Sequence, residues 1–241
     1  MTNVAVILAG GTGSRMGADR PKQFLPIHPG DQTAQAETVL EHTVKAFEAA
    51  PSVDEITIVV HPEWEEYTRQ LAQRNEWHKV KHIIRGGDER YMSSLNAIAA
   101  HLDYPDDTNL LLHDAARPWV SQEVIAQVTE ALKHHEAVAV GIPSTDTVWE
   151  VRQDFDRDLS KFIARIPERH TMWRAQTPQA FRLLLIRDAY QCALQDPQFH
   201  ATDDCGVVRR YLPGTKIIVV PGEEQNRKIT VPDDLRLPLC T

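Results

Sequence analysis

Residues 4–9 form an unbroken apolar run that passes directly into Gly10, Gly11, Thr12 and Gly13. A short apolar run closed by glycines reads as a buried strand ending in a tight loop. The next structured stretch follows a polar, Gly- and Pro-containing segment at 26–35, where Val39, Leu40, Thr43, Val44 and Phe47 recur near helical spacing within 39–50. The strand, loop and helix then repeat. Strands are expected at 55–60, 80–85, 109–112 and 137–142, and helices at 63–75, 91–101 and 122–134. Strands that alternate with helices in this way favour a mainly parallel sheet.

The predicted fold is therefore α/β, a Rossmann-like three-layer sandwich. From 147 to 165 the pattern changes to mixed apolar and charged residues without a helical period, which predicts a β-arm at about 147–170, projecting from the sheet and able to reach a partner subunit. The α/β pattern resumes with a helix at 182–194, a strand at 216–220 and a short terminal helix beginning at Pro232, Asp233 and Asp234. No internal repeat, linker or low-complexity tract interrupts the chain. At 241 residues it is near the upper size for one hydrophobic core, so one domain over 1–241 is expected.

Composition narrows the function classes. A formal net charge of −8 argues against broad binding to nucleic-acid phosphates, which demands a basic stripe. Any anionic substrate must meet locally placed cations. The three cysteines, Cys192, Cys205 and Cys240, have no short metal-ligand spacing, so neither a zinc site nor a disulfide framework is expected. No apolar run approaches the roughly 18–20 residues that cross a bilayer, and the first residues lack a basic, cleavable leader. These features predict a cytoplasmic protein with no membrane partner.

The glycine loop is the first chemical candidate. Glycines let backbone N–H groups approach phosphate oxygens, and Arg15 and Lys22 add cationic donors suited to a triphosphate. A Walker loop would end in Gly-Lys-Ser/Thr, and a dinucleotide fingerprint would place its third glycine two residues after Gly13. Neither pattern is present. Farther on, Asp114 closes an apolar strand with Arg117 close behind. A strand-end carboxylate suits Mg²⁺, which is commonly held by one or two carboxylates and substrate phosphates, although an Asp there also serves to cap a turn. His113 beside it is expected to be satisfied by local hydrogen bonds rather than to act as a base.

The ordered segments Gly10-Gly11-Thr12-Gly13-Ser14-Arg15-Met16-Gly17, Pro21-Lys22-Gln23-Phe24-Leu25, Gly86-Gly87-Asp88-Glu89-Arg90, His113-Asp114-Ala115-Ala116-Arg117-Pro118, Asp146-Thr147, Gln176-Thr177-Pro178-Gln179-Ala180-Phe181, Thr202-Asp203-Asp204 and Lys228-Ile229-Thr230 span nearly the whole chain. Together they resemble the 2-C-methyl-D-erythritol 4-phosphate and ribitol 5-phosphate cytidylyltransferases, enzymes with the nucleotide-diphospho-sugar transferase type of fold. The resemblance implies that Ala9, Gly10, Gly11, Gly13, Gly86, Asp88, Ser93 and Ala115 hold CTP, with Arg90 nearby. It implies that Arg15, Lys22 and Lys228 stabilise charge on the reacting phosphates, with Mg²⁺ at Asp114. It further implies that Arg117, Thr147, Arg169 and Thr202 contact the polyol phosphate, Thr147 and Arg169 from across a homodimer interface. This sequence departs from the family at Ser94, where valine is common, at Ala97, where glycine is common, and at Trp149, where one branch often carries a basic residue.

The activity implied is transfer of CMP from CTP to a polyol phosphate with release of pyrophosphate. Residues 8–11 and 166–169 look more like the ribitol-phosphate branch, whereas 173–179 also resembles the methylerythritol branch. Two other readings stand beside it: a nucleotidyltransferase for another sugar phosphate, and a silent CTP-binding regulatory module.

Overall fold

The computed structural model describes residues 1–11, 20–28, 30, 31, 33, 36–153 and 161–235. In chain order these form β1 (Asn3–Ala9), α1 (Val39–Glu48), β2 (Glu55–Val60), α2 (Glu65–Arg74), β3 (Val80–Arg85), α3 (Arg90–Ala100), β4 (Asn109–Asp114), α4 (Gln122–Ala131) and β5 (Ala137–Pro143). They continue with β6 (Glu150–Gln153), β7 (Lys161–Arg165), β8 (Trp173–Arg182), α5 (Leu183–Ala193), α6 (Asp204–Tyr211) and β9 (Ile218–Pro221). A seven-stranded sheet has the order β3-β2-β1-β4-β8-β5-β9, and β6 pairs with β7 in a separate two-stranded ribbon.

The sheet has a core on each face because successive strand side chains point to opposite sides. Ala5, Ile7 and Ala9 of β1 join Leu40, Val44 and Phe47 of α1, Leu71 of α2 and Val124 and Val128 of α4. Val4, Val6 and Leu8 face the other way, onto Ala97 and Ile98 of α3, Ile186 and Tyr190 of α5 and Val207 and Val208 of α6. The three layers expected from the alternating pattern are present. Ser94 and Ala97, both departures from the family pattern, are fully buried in α3.

One central strand differs from the expectation. The β8 segment, known from sequence only as a motif, runs antiparallel between β4 and β5. Its polar residues and Pro178 argue against an interior strand, because proline cannot donate to a ladder. The structure accommodates this with a register shift between Ala139 and Val140, so that β5 pairs with Gln179 and then with Gln176 and passes over Thr177 and Pro178. The ribbon of β6 and β7 lies within the arm expected at about 147–170, and every residue of both strands is exposed. Among the described residues no helix is long and apolar enough to cross a membrane.

Candidate active site

The strand order reverses at the centre of the sheet: β2 and β3 lie on one side of β1, and β4 lies on the other. A crevice opens at the carboxyl ends of the strands where such a reversal occurs. Here Leu8 is paired in register with Asp114, so the glycine turn after β1 stands beside the carboxylate that ends β4. A cleft at this point is lined by Ala9, Gly10 and Gly11, by Lys22 and Gln23, by residues 87–90, by Asp114, Ala115 and Ala116, and by Lys228.

Close backbone approach explains Gly10 and Gly86. A Cβ on Gly10 would lie 2.9 Å from Ser93 Oγ, and one on Gly86 would lie 2.8 Å from the same atom and 3.4 Å from Gly10 Cα. The turns after β1 and β3 therefore pack against each other over Ser93, whose hydroxyl accepts from the Gly87 N–H at 3.3 Å. Ser93 is 3% exposed and lies beneath the cleft floor, outside the lining. Gln23 Nε2 donates to the carbonyls of Ala9 (2.7 Å) and Gly11 (2.8 Å), holding the start of the glycine loop open. Its role escaped the sequence reading, although it stands in the quoted Pro21–Leu25 segment. Gly13 and Arg15 lie outside the described residues.

Charge in the cleft converges on Asp114. Lys228 Nζ donates to its Oδ2 at 2.7 Å, Arg90 Nε donates to its Oδ1 at 3.3 Å, and Arg117 Nε lies 3.9 Å from Oδ2. Burial raises the carboxyl pKa, but the fields of Arg90, Lys228 and Arg117 outweigh it and hold the group well below the usual carboxylate range. Asp114 is therefore ionised across the whole neutral range. The backbone seats it as well: the Asp114 N–H donates to Thr177 Oγ1 at 3.1 Å.

His113 is fully buried between Thr177 Oγ1 and the Arg117 carbonyl, each 3.1 Å from a ring nitrogen. Desolvation lowers its pKa to about 4, so the imidazole is neutral at physiological pH and satisfied locally, as expected. Arg117 sits just behind the cleft. Its Nη1 donates to the Asn226 carbonyl (2.8 Å) and its Nη2 to the Ala175 carbonyl (3.3 Å).

Lys228 arrives on a segment of 222–230 that carries no regular structure but is tied down along its length. The Gly222 N–H donates to the Gly141 carbonyl and the Ile229 N–H to the Ala116 carbonyl, both at 2.8 Å. Buried Asn226 Nδ2 donates to Gln176 Oε1 (3.1 Å) and the Thr177 carbonyl (2.9 Å). Arg227 stacks over Trp119 with its guanidinium carbon 4.6 Å from the ring centre. Lys22 Nζ donates to the Ile229 carbonyl at 2.8 Å, which ties the loop after β1 to the Lys228 segment, and both lysines line the cleft.

The structure thus brings together Ala9, Gly10, Gly11, Lys22, Asp88, Asp114, Ala115 and Lys228, with Gly86 and Ser93 directly below. It does not bring Thr147, Arg169 or Thr202 to this lining. Thr147 precedes the arm, Arg169 follows it in a single 3-10 turn, and Thr202 lies just before α6; all three are exposed. Glu168, the nearest acidic neighbour in sequence, pairs instead with His170 at 3.4 Å. Among the described residues no group of three His, Cys, Asp or Glu side chains could hold a metal by itself.

Comparison with known proteins agrees with this geometry. A relative from Thermobifida fusca (strain YX), named 2-C-methyl-D-erythritol 4-phosphate cytidylyltransferase, is 45% identical over 231 residues, 96% of this chain and 89% of that one. A Haemophilus influenzae protein named bifunctional ribulose 5-phosphate reductase/CDP-ribitol pyrophosphorylase Bcs1 is 39% identical over 97% of this chain, which spans 46% of its length. Among solved structures, a 4-diphosphocytidyl-2C-methyl-D-erythritol synthase from Anaerococcus prevotii superposes with a TM-score of 0.80 at 27% identity, covering 98% of this chain and 93% of that one. The family model described as IspD, 2-C-methyl-D-erythritol 4-phosphate cytidylyltransferase, matches residues 3–238. With the family model matching nearly the whole chain and the Thermobifida relative 45% identical along it, this chain belongs to the IspD family.

Proposed function

We propose that this chain transfers the cytidylyl group of CTP to the phosphate of a polyol phosphate and releases pyrophosphate. The observation that carries the reading is the convergence of Lys22, Lys228 and Arg90 beside the glycine turn, around an ionised Asp114 at the β1–β4 crevice. A phosphate oxygen of the acceptor attacks the α-phosphorus of CTP; the new P–O bond forms as the bond to the β-phosphate oxygen breaks, and pyrophosphate leaves with that electron pair. The chain's contribution is positioning and charge stabilisation. Lys22 and Lys228 offset charge that grows on the transferred and leaving groups, with Arg15 assigned the same task. No general base is needed, because a phosphate monoester is largely ionised near neutral pH. Neutral, fully bonded His113 takes no part.

Mg²⁺ is part of the proposal. Hard oxygen donors suit it, and the ionised Asp114 carboxylate, whose oxygens here meet Lys228 and Arg90, is the group that would hold a metal taking its other ligands from substrate phosphates and water. Bound there, it would supply additional charge stabilisation to the phosphate oxygens.

The acceptor we favour is 2-C-methyl-D-erythritol 4-phosphate, in line with the matching family and the Thermobifida relative. D-ribitol 5-phosphate is the second reading, because the Haemophilus relative is named for CDP-ribitol synthesis. We assign Thr147, Arg169 and Thr202 to the acceptor, Thr147 and Arg169 reaching the site of a second copy. The arm supports that assembly: Trp149 (57% exposed) directly before β6, and Phe162 (49%) and Ile163 (47%) on β7, are exposed apolar side chains at a two-stranded ribbon, which is marginal in water until another surface covers it. The proposal places the enzyme in the cytoplasm as a homodimer.

Pyrophosphate release measured with CTP, UTP, GTP and ATP against both polyol phosphates tests the reading. Release with CTP and one acceptor is expected. Binding of CTP without release in any combination would favour the regulatory module instead.

A further inference from the structure

The cleft is connected to the buried junction of α3, α5 and α6 on one face of the sheet by a continuous run of polar contacts. Beyond the Lys228–Asp114–Arg90 contacts, Arg90 Nη1 donates to Asp204 Oδ2 at 2.6 Å. The run ends at Tyr190, whose hydroxyl donates to Asp204 Oδ1 at 2.7 Å. Asp204 and Tyr190 are 0% and 1% exposed, and neither lines the cleft.

Helix capping does not explain the buried carboxylate. Asp204 is the first residue of α6, but the helix is capped by Asp203, whose Oδ1 accepts from the Gly206 N–H at 2.8 Å. Gln179 secures the same turn, donating to Asp203 Oδ2 (2.8 Å) and accepting from the Cys205 N–H (3.0 Å). Asp204 is thus an additional charge held on a rigid support. A buried carboxylate is costly unless it is paired and hydrogen-bonded, and here its pairing is spent on Arg90. Arg90 lies closer to Asp204 than to Asp114, 2.6 Å against 3.3 Å, so Asp204 draws the guanidinium back from the carboxylate that holds Lys228.

We propose that Asp204, oriented by Tyr190, is a positioning residue for cytidylyl transfer: by restraining Arg90 it leaves Asp114 to hold Lys228 in register with the reacting phosphates. This rests on the function proposed above. Removing the Asp204 charge frees Arg90 to engage Asp114 more fully, which displaces Lys228 and adds one net positive charge near the cleft. CTP binding is then unchanged or tighter while transfer slows.

The test is Asp204→Asn, with kcat and KM from pyrophosphate release and with CTP affinity and stoichiometry from calorimetry. Turnover should fall about 10- to 100-fold, the scale of a misplacement near 1 Å, while the CTP Kd is equal or lower and stoichiometry stays full. Tyr190→Phe, which keeps the ring and loses only the hydroxyl, should give a smaller loss of the same kind; it decides the matter if Asp204→Asn fails to fold. Wild-type turnover in the folded variant overturns the proposal. So does a parallel loss of turnover and binding stoichiometry, which is what a merely structural role produces. If wild-type protein releases no pyrophosphate from CTP with either polyol phosphate, the function reading fails and this inference falls with it.

Discussion

Gly222→Ala tests whether the Lys228 segment is held by packing at its base. A Cβ at this position would lie well inside contact distance of Gln176 Oε1, 3.2 Å from Gln176 Cδ and 2.8 Å from Val140 Cγ1. Gln176 is 4% exposed and its carboxamide has little freedom, because Nε2 donates to the Glu223 carbonyl at 2.7 Å while Oε1 accepts from Asn226. Overpacking a filled site costs about 1–3 kcal/mol, and each displaced hydrogen bond adds about 1 kcal/mol. The reduced freedom of the unfolded alanine chain returns about 0.4–1 kcal/mol. The net expectation is a loss of about 2–3 kcal/mol, which at about 2–4 °C per kcal/mol for a chain of this size is roughly 5–10 °C in Tm. Gly214→Ala is the matched control, since its Cβ would meet nothing within 4 Å, and it should leave Tm unchanged or slightly raised. Because Gln176 anchors Asn226, Gly222→Ala should also lower the turnover of the fraction that remains folded. Thermal unfolding of both variants with pyrophosphate-release rates checks the reasoning, and a Gly222→Ala protein as stable as Gly214→Ala would refute it.

Lys228→Ala and Lys22→Ala should leave the fold intact and lower CTP-dependent pyrophosphate release roughly 100- to 1000-fold, the usual cost of losing one electrostatic donor; Arg15→Ala should behave alike, and a folded variant with near-normal kcat removes that residue from the set. Stability should fall as pH drops from about 6.5 to about 4, because the unfolded His113 imidazole takes up a proton in that window and the native one does not; the full difference is roughly 3 kcal/mol. Asp114 adds to the loss below its unfolded pKa, since its native pKa is depressed, and urea unfolding of His113→Gln should show a flatter profile than wild type between pH 7.5 and 4.5. Arg169→Ala should impair use of the polyol phosphate while sparing CTP affinity, and mixing it with Lys228→Ala subunits should restore partial activity if sites are shared; mixtures as inactive as either parent would refute sharing. Trp149→Glu combined with Phe162→Glu should give a monomer in light scattering where the proposed homodimer is expected for the wild type, and a mass unchanged from a dimeric wild type would remove the arm from the interface.

Much of the fold was legible because buried strands and amphipathic helices carry local signatures. The apolar run at 4–9 became β1, and the alternating run through 142 became the parallel half of the sheet with its helices. Helix ends followed local chemistry too: Thr38 and Glu41 form a reciprocal capping box at α1. The β8 strand was hidden because its burial comes from neighbours on both sides, while its own residues include Pro178, two glutamines and two arginines. The arm was legible for the opposite reason: its mixed apolar and charged residues follow no helical period, and the described strands β6 and β7 are exposed throughout.

The cleft shows the same division. Glycine after a buried strand, a lysine following the loop and an aspartate ending an apolar strand are local statements about backbone space and charge, and ordered motifs along the chain joined them to a family. What the sequence by itself determined was therefore the residue types at the carboxyl edge of the sheet and the family to which the chain belongs. Only the tertiary structure decided which charges face one another, because Lys228, Asp114, Arg90 and Asp204 come from four separate elements. Ion pairs between positions more than 100 residues apart leave no periodic trace in a sequence; they exist because the strand order reverses at β1 and the start of α3, the start of α6 and the 222–230 segment meet at the carboxyl edge of the sheet.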